Sequence, residues 1–412
     1  MSKVKILAYA SPIPANWNTF REPEWRNPNY LTDESYKDLK DCGITGCIAL
    51  FEREESDTQL ALGLADKYGL QYYVRDKINW DVIWDHTIFE REKDRYLNYL
   101  NHKSFAGVFI TDEPEVDKYP YLRAMKDEFD KLYNNMYNGF YVNLLPTYAN
   151  DVTQLGAPYP EYIDRFIKEV DPDHVCFDHY PFQRRRVAEG VEDWYDWTRT
   201  DFFYNDQIVA DACDEAGKEM WTFVQINNTA RRAKDLDFYD IRFQFYTHLA
   251  YGTKAFVHYY WWSWPGYKPG EHETATYKCV VGPHGEKGFK YYACQNVHAE
   301  IEMFGDEYLE YKRKDTYVSW NNEDEVYFKK VPVKQSKEFK SDAPILIGEF
   351  VKENGKRAWV IVNATDTYVE KKVKVECSVG ACKYYIGKNK MFSKDGLTVT
   401  LAAGQGMFIM EE

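Results

Sequence analysis

Two short stretches of this 412-residue chain place carboxyl groups where they can do chemistry. In GVFITDEPE (107–115) an apolar run ends on Asp112 and Glu113, followed by Pro114 and Glu115. In HVCFDHY a second run ends on Asp178, His179 and Tyr180. A carboxyl group at the tip of a buried strand can do more than close a turn. Apolar surroundings and a neighbouring like charge both raise its pKa, so it can carry a proton near neutrality. Glu113 is the expected proton donor, Asp112 or Asp178 the neighbouring charge, and Glu115, beyond the proline, an ordinary surface acid.

Such groups work only if a scaffold presents them together. Eight apolar runs can serve as strands: KILAYA (5–10), GCIALF (46–51), QYYVRD (71–76), AGVFIT (106–111), GFYVNLL (139–145), HVCFD (174–178), MWTFVQI (220–226) and AFVHYYW (255–261). Helical stripes separate them, among them Leu60, Leu64 and Tyr68 before Gly69, and Leu122, Met125, Phe129 and Leu132. Ile163, Phe166, Ile167 and Val170 form another, Ile208, Val209, Ala212 and Cys213 precede Gly217, and Ile241, Phe245 and Leu249 precede Gly252. Eight strand–helix units predict an α/β chain folded as a (β/α)8 TIM barrel over residues 1–312, with its site at the carboxyl ends of the strands. Beyond Lys312 the period becomes two, in DTYVSW, EVYFKKVPV, PILIGEFV, RAWVIVNA, KKVKVEC, LTVTLAA and GMFIME, with Asn354-Gly355 as a hairpin signal. Residues 313–412 are expected to form a C-terminal antiparallel β-sandwich packed on the barrel.

The expected strand tips are Tyr9; Glu52 and Arg53; Arg75 and Asp76; Asp112 and Glu113; Asn143; Asp178, His179 and Tyr180; Gln225, Asn227 and Asn228; and His258, Trp261 and Trp262. They hold no basic cluster for a phosphate, no lysine for a Schiff base and no glycine-rich nucleotide loop. Aromatic faces beside amides and carboxylates suit a polyhydroxylated ring, so a carbohydrate is the expected ligand. Its contacts are expected from Asp112, Tyr9, Asn143, His179, Tyr180, Gln225, Asn227, His258, Trp261 and Trp262. His258 is read as an inward polar residue rather than a metal ligand, and neither metal nor cofactor is expected.

Composition agrees. A net charge of −14 argues against nucleic acid or an anionic membrane as partner. The 35 Tyr, 24 Phe and 12 Trp are expected in part to face a cleft. The eight cysteines lie mostly within apolar stretches with no CxxC pair and are read as buried thiols. The N-terminal MSKVKILAYASPIP lacks the apolar length of a signal peptide, so a cytoplasmic location is expected.

FAGVFITDEPE, YVNLLPTYA, FDHYPF, WTFVQ and FQFYTHLAYGTKAFVHYYWWSW together resemble the barrel glycoside hydrolases of the β-galactosidase and cellulase clan, within a subset carrying a strand-four Asp-Glu-Pro. The resemblance covers roughly residues 1–305 and implies that Glu113 is the general acid. Two positions depart from the clan. Asp112 stands where an Asn usually precedes the acid, and the seventh strand reads FVQINN, with Gln225 near the place of the nucleophilic Glu. An amide cannot act as a carboxylate nucleophile. Asp178 is the first candidate to replace it, as nucleophile or as base for water, and Glu271 or Glu273 in PGYKPGEHETATY a second. With no second carboxylate, the chain would use substrate assistance or be a carbohydrate-binding barrel without chemistry. A lyase or isomerase has less support, lacking a metal-binding set or lysine base. Arg184, Arg185 and Arg186 read as a solvated or ion-paired face, which would select an acidic sugar only if folded over the mouth.

Overall fold

The computed structural model describes residues 3–17, 26–52, 54–75, 87–187, 194–227, 235–263 and 279–412. Arg53, Asp76, Asn228, Trp264, Glu271 and Glu273 lie outside the described residues. All eight expected barrel strands are present: β1 (Lys5–Tyr9), β2 (Gly46–Ile48), β3 (Gln71–Val74), β4 (Phe105–Asp112), β5 (Phe140–Leu144), β6 (His174–Phe177), β9 (Glu219–Gln225) and β10 (Ala255–Tyr259). They close in the order β1-β10-β9-β6-β5-β4-β3-β2. An antiparallel ribbon, β7 (Phe182–Arg186) and β8 (Trp194–Thr198), is inserted after β6.

Because side chains alternate along a strand, each barrel strand feeds two cores. Leu7, Tyr9, Ile48, Tyr73, Phe109, Tyr141, Cys176, Trp221, Phe223, Ala255 and Val257 fill the lumen. Their neighbours Ile6, Ala8, Cys47, Tyr72, Val108, Val142, Val175, Val224 and Phe256 pack against the helices. Much of the aromatic content is therefore structural: Trp221, Trp261, Trp359 and nine tyrosines lead the fully buried side chains.

The helices start and stop on local chemistry. Gly69 (φ +64°) and Gly217 (φ +66°) take the left-handed conformation that ends Glu55–Tyr68 and Phe202–Ala216. Asp237 and Asp240 form a reciprocal capping box at the start of Phe238–Ala250. One stripe is shifted: helix Glu55–Tyr68 buries Ala61, Leu62 and Ala65 and leaves Leu60 46% exposed. The buried face combines the small residues Thr58, Ala61 and Ala65 with Leu62, and Leu60, two positions before Leu62, falls on the opposite side of the helix.

The C-terminal part is a sandwich of a six-stranded and a three-stranded antiparallel sheet. Its strands are β11 (Lys312–Ser319), β12 (Phe339–Ser341), β13 (Ile345–Val351), β14 (Arg357–Asn363), β15 (Val373–Cys377), β16 (Cys382–Ile386), β17 (Asn389–Ser393), β18 (Leu397–Leu401) and β19 (Gly406–Glu411). Asn354-Gly355 turns β13 into β14, with Gly355 at φ +81°. EVYFKKVPV is not a strand. Lys330 sits at φ +63° and Pro332 lacks a donor, so only Val333 bridges to Val318. The sandwich shares the helix-side core of the barrel through Phe350, Val360 and Phe408. Contact there is close enough that a Cβ at Gly348 would lie 2.1 Å from the Ala250 carbonyl oxygen.

Candidate functional site

The carboxyl ends of β4, β5 and β6 bring Asp112, Asn143 and Asp178 together. Strand β4 carries a register irregularity between Phe109 and Thr111 against β5. That extra residue turns Asp112 to the mouth, above the lumen residue Phe109, and pairs it with Asn143 across the ladder. Asn143 Nδ2 donates to Asp112 Oδ1 at 2.9 Å and to Asp178 Oδ1 at 3.1 Å. Tyr9 Oη donates to Asp112 Oδ2 at 3.3 Å. One amide and one phenol thus hold two carboxyls in place from below.

Glu113 extends the ladder by one bond, its N–H donating to the Asn143 carbonyl at 2.9 Å, and then leaves it at φ +53°. A non-glycine residue in this left-handed region is strained by about 1 kcal/mol or more and persists only where the surroundings enforce it. Enforcement comes from the next residue, since buried Tyr162 donates its hydroxyl to the Pro114 carbonyl at 2.8 Å.

Water reaches Asp112 and Glu113 through the open mouth, whereas Asp178 is 4% exposed. Protein on the remaining sides penalises charge on all three. Burial, then the Asp112 charge, pushes Glu113 up to about 7. Burial, then the charges of Glu113 and Asp112, raises Asp178 well above the carboxylate range, against hydrogen bonds from Asn143 and Tyr180. Asp112 is raised by burial and pulled back by Asn143, the Arg75 charge and Tyr9. Carboxyls this close cannot all ionise, so the cluster keeps a proton near neutrality as a unit.

Tyrosines wall the cluster. Half-buried Tyr180 stacks on Tyr259 at 4.6 Å, and Tyr259 on Tyr260 at 3.9 Å. Tyr148 is 38% exposed and feels the charges of both Asp178 and Glu113. Its hydroxyl accepts from the Tyr180 N–H at 3.4 Å, and its ring lies under the Arg199 guanidinium at 4.0 Å. Tyr148, Tyr259 and Tyr260 were not among the expected contacts. Alternation from Ala255 and Val257 would have pointed to Tyr259. Nothing in YVNLLPTYA marks Tyr148, which lies on a loop.

Of the expected residues, Glu113, Asp178, Asp112, Tyr9, Asn143 and Tyr180 converge. The others are placed elsewhere or closed off. His179 is fully buried, its Nε2 3.3 Å from Asp201 Oδ1 and its ring against Phe202. Gln225 is fully buried with its amide spent on one backbone unit, accepting from the Phe182 N–H at 3.0 Å and donating to the Phe182 carbonyl at 2.9 Å. Asn227 is also fully buried, and neither side-chain polar atom has a partner among the described residues. His258 does not point inward: lumen residues Ala255 and Val257 put it on the helix side, where its Nε2 lies 2.9 Å from His298 Nε2. Trp261 and Trp262 are 0% and 2% exposed. The chain leaves the barrel wall after Tyr259, and they pack outward on Tyr291 and Tyr30. Arg184 pairs with Asp196 at 3.2 Å and Arg185 stacks on Trp197 at 4.5 Å, both within the β7–β8 ribbon. All eight cysteines are buried free thiols, and no helix among the described residues is long and apolar enough to cross a membrane.

No family model matches this chain, and no curated protein sequence matches it. Solved structures do. A β-galactosidase from Bacillus circulans sp. alkalophilus superposes with a TM-score of 0.63 at 7% identity, over 100% of this chain and 99% of that one. A structure described as a glycoside hydrolase gives a TM-score of 0.54 at 11% identity, over 99% and 92%. A glycoside hydrolase family 5 protein from Bacteroides vulgatus gives 0.52 at 11% identity, over 99% and 89%. At such identities the likeness is one of fold: an eight-stranded parallel barrel followed by a β-sandwich, shared with glycoside hydrolases over the whole chain.

Proposed function

We propose that this protein is a glycoside hydrolase in which Glu113 donates a proton to the leaving glycosidic oxygen and Asp178 is the second carboxyl. The observation that carries the reading is the crowding of three carboxyls at the ends of β4 and β6, with Glu113 mouth-facing and pushed up to about 7. In the reacting state the cluster's proton sits on Glu113 and Asp178 is ionised; the glycosidic C–O bond breaks, the leaving oxygen takes the Glu113 proton, and the anomeric carbon is captured by Asp178 or by a water that Asp178 deprotonates. Asp112, held by Asn143 and Tyr9, binds a sugar hydroxyl, and Tyr180, Tyr259 and Tyr260 offer ring faces to the apolar side of a sugar. The likeness of fold to glycoside hydrolases supports the same class.

The test is hydrolysis of a panel of aryl glycosides and oligosaccharides by wild type and Glu113→Gln, with the product anomer followed by NMR. Loss of cleavage in the variant supports the reading. Equal rates, or no cleavage of any substrate by wild type, overturn it. The closed amide of Gln225 favours a second reading, a carbohydrate-binding barrel without catalysis, because the seventh barrel strand supplies no carboxylate at its carboxyl end. Saturable binding of an oligosaccharide with no turnover would establish that alternative.

A further inference from the structure

His258, Cys294 and His298 are brought together on the helix side of the barrel wall, away from the carboxyl cluster. Strand β10 supplies His258, and one turn of the helix Phe289–Glu302 supplies Cys294 and His298. All three are buried, at 0%, 0% and 2% exposure, and their donor atoms lie within 4.8 Å of one another. Sequence spacing hid this set, since 36 residues separate its first two members.

The hydrogen bonds settle which atoms face inward. His298 Nδ1 lies 2.7 Å from the Cys42 carbonyl oxygen. A carbonyl only accepts, so Nδ1 carries the hydrogen and Nε2 accepts from His258 Nε2–H at 2.9 Å; a bound ion would take that lone pair in place of the hydrogen, with the His258 proton moving to its Nδ1. A ring nitrogen that binds a metal carries no proton, so each ring enters the site as a neutral imidazole. Cys42 Sγ lies on the other side of the His298 ring, 3.9 Å from Nδ1, and donates to the Tyr291 carbonyl at 3.6 Å.

We propose that His258, Cys294 and His298 form a buried three-coordinate site for a soft monovalent metal ion of the copper(I) class. Charge decides the oxidation state. One thiolate and two neutral imidazoles around a monovalent ion sum to zero, whereas a divalent ion would leave a net positive charge among fully buried side chains. Thiolate and imidazole are also the ligands that soft copper(I) prefers. Binding replaces the Cys294 S–H bond with an S–Cu bond and releases that proton to solvent. A cavity of about 260 Å³, lined in part by Cys42, Gly43, Gln295 and His298, leads to the histidine from the amino-terminal end of the barrel.

The experiment is anaerobic titration of the full chain with copper(I) against a chromophoric copper(I) chelator, with a parallel zinc(II) arm. The chains compared are wild type, Cys294→Ala, His258→Gln, and Cys213→Ala as a control for a buried thiol elsewhere. The expected result is one copper(I) per chain in wild type and Cys213→Ala, at least 100-fold weaker binding in the other two variants, and a raised thermal midpoint on loading. X-ray absorption of loaded wild type should show one sulfur and two nitrogen ligands, a readout that stands even if a variant fails to fold. Absence of stoichiometric copper(I), equal copper(I) binding by Cys294→Ala, stoichiometric zinc(II) without copper(I), or a sulfur-only ligand shell would overturn the proposal. The first of these would leave the two rings joined by a plain hydrogen bond from His258 Nε2.

Discussion

Replacing Glu113 by Gln removes the proposed proton donor while keeping the side chain's shape. A glutamic acid at its ordinary value of 4.5 is protonated at pH 7 in about one molecule in 300, whereas Glu113, pushed up to about 7, is protonated in roughly half. General acid catalysis contributes about 10²- to 10⁴-fold, so kcat/KM for a glycoside with a poor leaving group should fall by that factor. A nitrophenyl glycoside, whose leaving oxygen needs little protonation, should lose much less. The wild-type rate should decline as pH rises through about 7, and that limb should vanish in the variant. Stability supplies an independent arm. A carboxyl whose folded pKa is raised favours the folded state while protonated, so its contribution is full below the unfolded value and is lost as pH rises through about 7. At 1.36 kcal/mol per unit the rise from 4.5 has a ceiling of about 3 kcal/mol, which access to water through the mouth reduces to about 1 kcal/mol. Glu113→Gln should therefore melt about 1–2 °C higher at pH 8 and at the wild-type temperature at pH 4, read by differential scanning calorimetry. Unchanged hydrolysis of the poor-leaving-group substrate would refute the catalytic assignment, and a lower midpoint at pH 8 would refute the electrostatic one.

Other substitutions separate chemistry from architecture. Gln225→Glu, which restores a carboxylate to the seventh barrel strand, should create no nucleophile and should destabilise by about 1–3 kcal/mol, because a carboxylate cannot donate to the Phe182 carbonyl; denaturant unfolding measures it, and a gain in hydrolysis would contradict it. Glu113→Gly should be more stable than Glu113→Ala by about 1 kcal/mol, since only glycine adopts φ +53° without strain; equal midpoints would show that the backbone relaxes. Tyr148→Phe keeps the ring under Arg199 and removes the hydroxyl beside Asp178 and Glu113. Its thermal midpoint should stay within about 1 °C while the pH–rate profile shifts; an unmoved profile would make Tyr148 a packing residue.

The barrel was legible because alternation and helix stops are local signals, and all eight apolar runs became strands. Glu113 and Asp178 were legible for the same reason, as polar residues at the ends of such runs. What was not legible depended on which way a residue faces. His258, Trp261 and Trp262 lie on a run that reads as continuous, yet the strand ends at Tyr259, so the two tryptophans leave with the chain and the histidine faces the helices. The irregularity in β4 is equally silent in the sequence. Strict alternation from Phe109 would put Thr111 rather than Asp112 in the mouth, and only the pairing with β5 reveals the shift.

That shift bears on the missing carboxylate of the seventh barrel strand. Because β4 turns Asp112 inward beside Glu113, the mouth holds two acids from one strand and a third from β6, and Asn143 stands between the strands with one amide donating to both sides. A carboxyl in place of the Gln225 amide would be fully buried, and burial would raise its pKa. The amide is therefore the electrostatically cheaper residue at that position, and its exchange of hydrogen bonds with Phe182 fastens the seventh barrel strand to the segment leading out of β6, next to Asp178. The feature that looks like the loss of a catalytic group is a brace between the end of the seventh barrel strand and the segment that follows Asp178.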